Sequence, residues 1–315
     1  MLGEVMAMAS LESISSAKIR RRKKLSASDT VFNIFVYAFF IVFALVTIYP
    51  LFNTLMLSFS DGMDAAKSPI IFLPRIWSLK SYKIILFDKE NIRAAALTTM
   101  ARTLIGTAAG LGANALLAFI LSRKRFLFKS GLSLFWTLTI YVQGGFVTTF
   151  ILYKRLGLME NFWVYIIPCL VSGFYVLVIR TYMNGISDSL EEAAKLDGAG
   201  YIRIFWSIIS PVCKPVYAAI ALFIATSQWN AWFDAMVFNR HRPDYTTLQY
   251  ELEKYYIAAT YKLSGPTGFP SAPPDYSVLT CRAALSVLSM LPLIIAYPFL
   301  QKYFVSGLKI NGIKE

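Results

Sequence analysis

Residues 31–60 contain no Asp, Glu, Lys or Arg. A helix that is apolar for so long has no polar face to turn toward water. About 20 residues of this kind cross the hydrocarbon core of a bilayer, and inside lipid a helix satisfies every backbone N–H and C=O within its own segment. The run is too long for the apolar core of a cleaved secretion signal, and no small-residue cleavage site is evident. It reads as a first membrane span. Five more runs follow, at 103–122, 130–153, 161–179, 216–233 and 283–300. The expected fold class is an all-α integral membrane protein with six transmembrane helices.

Composition agrees with this reading. Of the 315 residues, 57% are hydrophobic and only 16% charged, whereas soluble domains carry about a quarter charged residues. The formal charge of +13 does not argue for nucleic acid, because the basic residues punctuate apolar runs instead of surrounding exposed aromatics. Cys169, Cys213 and Cys281 lie far apart, in or beside apolar stretches, and set up neither a metal site nor a disulfide framework. With His241 as the single histidine, a histidine-based catalytic or metal site is close to excluded.

The basic residues also give an orientation. Lys18, Arg20, Arg21, Arg22, Lys23 and Lys24 precede the first run, and Arg123, Lys124, Arg125 and Lys129 crowd the second loop. The third loop holds only Lys154 and Arg155. Cytoplasmic loops carry the excess of Lys and Arg, so residues 1–30 are expected to be a cytoplasmic tail and both termini cytoplasmic. The loop between the fourth and fifth runs then faces the cytoplasm too. Residues 61–91 and 233–276 fall outside, with a short helix expected around 248–259.

That fourth loop is the polar, helix-prone passage of the chain. Ser189 followed by Glu192 has the spacing of a capping box and predicts a helix starting at Leu190. Glu191 and Glu192 then meet the positive end of the helix dipole. Ala193 and Ala194 are helix formers small enough for another surface to approach closely. Gly198 suits the helix end, where positive φ is common. A second segment places Tyr201, Ile202, Phe205, Ile208 and Ile209 on one face, with Pro211 expected to close it.

Glu192-Ala193-Ala194, Gly198, Ile208 and Pro211 stand at the spacing of the EAA loop, which makes this segment similar to that of binding-protein-dependent ABC transporter permeases. Ser210 replaces the leucine usual before the proline. The resemblance implies that residues 187–211 form a coupling loop, with Glu191, Glu192, Ala193, Ala194, Asp197, Gly198 and Pro211 meeting a groove on a separate ATPase subunit.

The spans carry few groups that could do chemistry. No acidic residue lies within any of the six runs, whereas ion-coupled carriers usually bury one near the midplane. Arg102, Arg180, Lys214 and Arg282 fall at span edges, where snorkelling accounts for them. Gly106, Gly110 and Gly112 have the spacing that lets membrane helices pack closely. Tyr141, Gln143, Gly144 and Gly145 interrupt the third run, and Gln228, Trp229 and Asn230 sit toward the outer end of the fifth. Amides beside flat aromatic faces suit sugars, which present hydroxyls at the ring edge and CH groups on the ring faces. Tyr141, Gln143, Gln228, Trp229 and Asn230 are therefore the candidate pathway residues. An interfacial aromatic belt explains Trp232 as well.

Trp229 to Phe233, Thr247-Leu248-Gln249 and the ending from Gln301 to Lys314 resemble the sugar-importing, maltose-type branch of the family, and its MalG-like subunit in particular. This implies a permease domain over 31–304 and a cytoplasmic tail over 305–315. It implies a second related permease, two ATPase subunits that hold ATP and Mg, an extracytoplasmic solute-binding protein, and no cofactor or chemistry on this chain. The expected place is the plasma or inner membrane and the expected cargo a sugar, most of all an oligosaccharide. A non-sugar ABC cargo and an ion-driven secondary carrier are the alternatives.

Overall fold

The computed structural model describes residues 27–67, 72–88, 90–142, 144–264 and 278–310. The basic cluster at 18–24, Gln143, part of the long outer loop (265–277) and the ending 311–315 lie outside the described residues. The described chain is helical, and its one β-type contact is an isolated bridge between Ser60 and Trp77. It divides into two compact units, residues 1–52 and 53–315.

The described part of the first unit belongs to helix α1, Ala27–Ser58. Val31, Phe35, Tyr37, Phe39, Phe43 and Val46 are all exposed, so the helix is apolar on every side. A helix of that composition is stable in lipid, where no polar face is required.

In the second unit, α2 (Gly62–Lys67) and α3 (Lys80–Lys83) lead to the long α4, Glu90–Ser122. Helices α5 (Lys129–Tyr141) and α6 (Gly145–Arg155) follow, then two short 3-10 turns over Phe162–Cys169 and α7, Gly173–Asn184. Next come α8 (Asp188–Leu196), α9 (Tyr201–Val212), α10 (Lys214–Asn230) and α11 (Phe233–Phe238). Helices α12 (Leu248–Ser264) and α13 (Val278–Ile310) end the described chain.

Among the described residues, α1, α4 and α13 are each long and apolar enough to cross a membrane unaided. Three further crossings are available only if bent pairs count as one: α5 with α6 at 116°, the turns over Phe162–Cys169 with α7 at 46°, and α9 with α10 at 83°. The protein is thus a multi-pass membrane protein, but three of the six runs are not single straight helices. The third run breaks where Val142 turns extended. The fourth begins as 3-10 turns, since Pro168 has no N–H to donate, and Ser172 is extended before α7. The fifth stops at Asn230 because Ala231 is extended, leaving Trp232 and Phe233 to the next helix. At the other end of the chain, α13 runs through to Ile310, so no break in structure falls at 304.

The core joins α4, α7, α9 and α10 through Ala115, Phe119, Val176, Ile179, Ile204, Phe205, Ile209, Ile220 and Ile224. Glycine sets how close α4 and α10 come. A Cβ on Gly106 would lie 2.8 Å from Gln228 Nε2, and one on Gly110 would lie 3.5 Å from Ile224 Cδ1. A Cβ on Gly112 would meet nothing within 4 Å. Two of the three small-residue positions therefore serve packing inside this chain.

Ion pairs and backbone hydrogen bonds join loops that are distant in the chain. The segment after α4 pairs with α8 through Arg123–Glu191 and Lys124–Asp188. The loop after α6 meets the end of α11, where the backbone N–H of Glu160 donates to Phe238 O at 2.9 Å.

Candidate functional site

Helix α8 starts two residues earlier than its capping box predicts, at Asp188. Ser187 is the N-cap, its hydroxyl accepting from the Ser189 N–H at 3.4 Å, and Ser189 lies inside the helix. Asp188 and Glu191 occupy the first turn, where the helix dipole favours carboxylates. The C-terminus closes as expected. The Gly198 N–H donates to Lys195 O at 3.0 Å and the Ala199 N–H to Ala194 O at 2.9 Å. This double closure requires a left-handed residue, and Gly198 supplies φ +76°. Ala194 and Ala199 then pack together against the main core.

The two carboxylates of α8 face different ways. Glu191 is largely buried, bonded to Arg123 and, at 2.5 Å, to Lys195. Burial pushes its pKa up, but the hydrogen bond from Lys195 and the charge of Arg123 more than offset this and leave it below its ordinary value. Asp188 is held low by the hydrogen bond and charge of Lys124. These pairs clamp α8 to the end of α4. Glu192, Ala193, Leu196, Asp197 and Gly198 face outward, while Ala194 is buried. Leu196, 89% exposed, is an apolar side chain offered to solvent that sequence reading passed over. Its place at the end of a charged helix gave little hint of it.

Helix α9 departs from regular spacing. Ile204–Ile209 is π-helical, and the wider turn buries Ile204, Phe205 and Ile209 while Ile202 stays 79% exposed. The expected face of Tyr201 and Ile202 with Phe205 is therefore split. Pro211 does not close the segment, which continues to Val212. The chain then turns at Cys213 into α10, where Pro215 stands in the first turn, which has no need of its N–H.

A cavity of about 530 Å³ opens among α4, α5, α7 and α10. Arg102, Gln228 and Asp234 form its polar wall, with Thr139, Ser172 and Ser227 hydroxyls and the rings of Trp136, Phe174 and Tyr175 around it. Arg102 is 1% exposed and does not snorkel. Its Nε and Nη2 donate to Gln228 Oε1 at 3.0 and 2.9 Å. Nη1 and Nη2 donate to Asp234 at 3.1 and 2.5 Å, and Nη1 also to Ala231 O at 3.4 Å. The guanidinium lies 4.3 Å from the Tyr165 ring centroid, and Gln228 Nε2 donates to Tyr165 O at 3.1 Å. All five N–H donors of the fork are used. Sequence reading set Arg102 at a span edge because its partner, Asp234, lies just past the fifth run.

Of the residues expected on a pathway, Gln228 reaches the cavity. Trp229 does not. It packs with Ile85, Leu248 and Leu285, and its Nε1 donates to Ser289 O at 2.9 Å, which leaves no ring face for a ligand. Tyr141 and Asn230 are exposed away from the cavity, and Gln143 lies outside the described residues. Trp136 and Tyr175 line the cavity instead. They sit in the third and fourth runs, and only tertiary packing brings them beside Gln228.

No protein-family model matches the chain. Along 288 residues it is 29% identical to the polygalacturonan/rhamnogalacturonan transport system permease protein YtcP of Bacillus subtilis, covering 91% of this chain and 99% of that protein. It is 27% identical over 310 residues to the galactooligosaccharides transport system permease protein GanQ of the same organism, covering 96% and 99%. A chain in the crystal structure of a bacterial ABC transporter that imports the acidic polysaccharide alginate superposes with TM-score 0.79 at 28% identity, over 90% of this chain and 99% of that one. In sequence along nearly its whole length and in fold, the protein is similar to permease subunits of ABC importers, those of sugar transport systems among them.

Proposed function

We propose that the chain is one of two related permeases in an ATP-driven importer of sugars, working with two ATPase subunits and an extracytoplasmic solute-binding protein. The observation that carries the coupling role is the clamped helix α8. Arg123 and Lys124 fix its inner side to α4, while Glu192, Ala193, Leu196 and Asp197 stay free for another protein. A push on that face would pass through the buried Ala194, Ile204 and Phe205, which pack in one core with residues of α4 and α10. ATP and Mg belong to the partner subunits in this reading, and this chain performs no hydrolysis.

The cavity beside Arg102 supports a cargo with many hydroxyls. Arg102 and Gln228 are engaged within the protein, so what the lining offers a sugar is the Ser172 and Ser227 hydroxyls and the Asp234 carboxylate beside Trp136, Phe174 and Tyr175. The named relatives belong to transport systems for polygalacturonan/rhamnogalacturonan and for galactooligosaccharides, which agrees with this chemistry. Six crossings are supported by the three long helices together with the three bent pairs, each taken as one span. The basic loop 123–129 supports a cytoplasmic position for the α8 end.

The test is ATP hydrolysis by the reconstituted complex with its binding protein, across neutral oligosaccharides, uronate oligosaccharides and peptides. Stimulation by a saccharide class supports the reading and names the cargo. Stimulation by peptides alone would keep the coupling role and overturn the sugar. Assembly without any ATPase would overturn both.

A further inference from the structure

We infer a binding site for an anionic phospholipid at the elbow between α9 and α10. The two helices meet at 83°. With α10 crossing the membrane, α9 runs almost in the membrane plane, at the level where headgroups begin. Its exposed Ile202 and Trp206 suit that level, since apolar and indole side chains of an in-plane helix sink into the headgroup and acyl boundary.

Inside the elbow is a groove of about 450 Å³. Its floor is the small-residue side of α4, with Ala108 and Gly112, and Trp206 forms one wall. Lys214 stands at the corner, exposed, with no ion pair or hydrogen bond among the described residues. Beside it the Ser210 and Tyr217 hydroxyls lie 3.3 Å apart. No lining residue is acidic. An apolar slot ending in an unneutralised ammonium and two hydroxyls complements an acyl chain ending in a phosphate. Ser210 belongs to that corner as leucine could not, because it has a hydroxyl to offer.

The cytoplasmic leaflet carries the anionic lipids, and one basic residue near its surface contributes about 1 kcal/mol, about a fivefold preference. The site does not depend on which cargo the importer carries.

Trp206 reports on the groove directly. The full complex is placed in phosphatidylcholine nanodiscs containing brominated-acyl phosphatidylglycerol or, separately, brominated-acyl phosphatidylcholine. The emission of Trp206 is the difference between wild type and Trp206→Phe. Half-quenching by phosphatidylglycerol at about one-fifth the mole fraction is the expected result. Lys214→Gln should abolish the preference, and Lys154→Gln, at the other end of the bundle, should leave it intact. Equal quenching by both lipids would overturn the headgroup site. Absence of quenching by either would show the groove covered by protein and overturn it too. Neither outcome bears on the importer reading, because no transport is measured.

Discussion

Arg102 and Asp234 stand 132 positions apart in the chain and 2.5 Å apart at closest approach. Arg102 side-chain exposure is 1% and that of Asp234 is 22%, so the pair sits at the cavity wall with its cation fully enclosed. Together with Gln228 and Tyr165 it ties α4, α10, α11 and the turn at 162–165 to one point.

Removing the cation should therefore cost more than an ordinary side-chain truncation. Arg102→Ala leaves Asp234 and Gln228 without their partner, and breaking a buried pair from one side typically costs about 3–5 kcal/mol. The expected outcome is a lower midpoint of thermal unfolding in detergent. Arg102→Lys should restore little, because an ammonium cannot reproduce the two-pronged geometry. Full stability in the lysine variant would show that charge alone suffices.

Gly198 sets where α8 ends. At φ +76° a Cβ costs about 1–2 kcal/mol, although nothing lies within 4 Å to clash with it. Gly198→Ala should thus insert and assemble while weakening coupling, and Gly198→Pro, which also removes the N–H bonded to Lys195 O, should weaken it far more. Glu192→Lys reverses a charge on the outward face and should impair ATPase docking at normal expression. The measurement is stimulated ATP hydrolysis against basal hydrolysis; unchanged stimulation in the proline and lysine variants would contradict the coupling role.

Acid should loosen the same helix. The pKa values of Glu191 and Asp188 lie below their ordinary values when folded. Groups of this kind contribute stability that is fully present above the unfolded-state value and lost as pH falls through the folded one. Docking of α8 is therefore expected to hold at neutral pH and fade below about pH 4. Hydrogen exchange of the α8 amides against pH, with Glu191→Gln as control, checks this. The variant should lack the acid-dependent step that Glu191 provides.

Packing between α4 and α10 makes a sharper contrast. Gly106→Leu drives a side chain into Gln228 and should destabilise the bundle by about 1–3 kcal/mol, as overpacking does. Gly112→Ala meets open space and should be close to neutral. Equal unfolding midpoints for the two variants would mean that the helices separate more easily than their spacing suggests.

The membrane class, the apolar runs and the short polar helix between the fourth and fifth of them are legible in the sequence because each depends on local composition. An uncharged run of thirty residues needs no knowledge of its neighbours to be read as a span, and Gly198 ends α8 by its own backbone freedom. The first residue of α8 was misread because Ser187 and Ser189 both have capping chemistry, and only the backbone angles at Ser187 choose between them. The π-turn at Ile204–Ile209 was invisible, since one extra residue per turn leaves no mark on composition. Trp229 looked like a sugar contact until α13 packed over it, and Arg102 looked like a snorkelling edge residue until Asp234 met it. The sequence by itself determined that the chain enters a membrane and that a short polar helix stands between the fourth and fifth apolar runs. The tertiary structure decided which polar groups face the cavity and which are consumed within the protein, because that depends on pairings between residues more than a hundred positions apart.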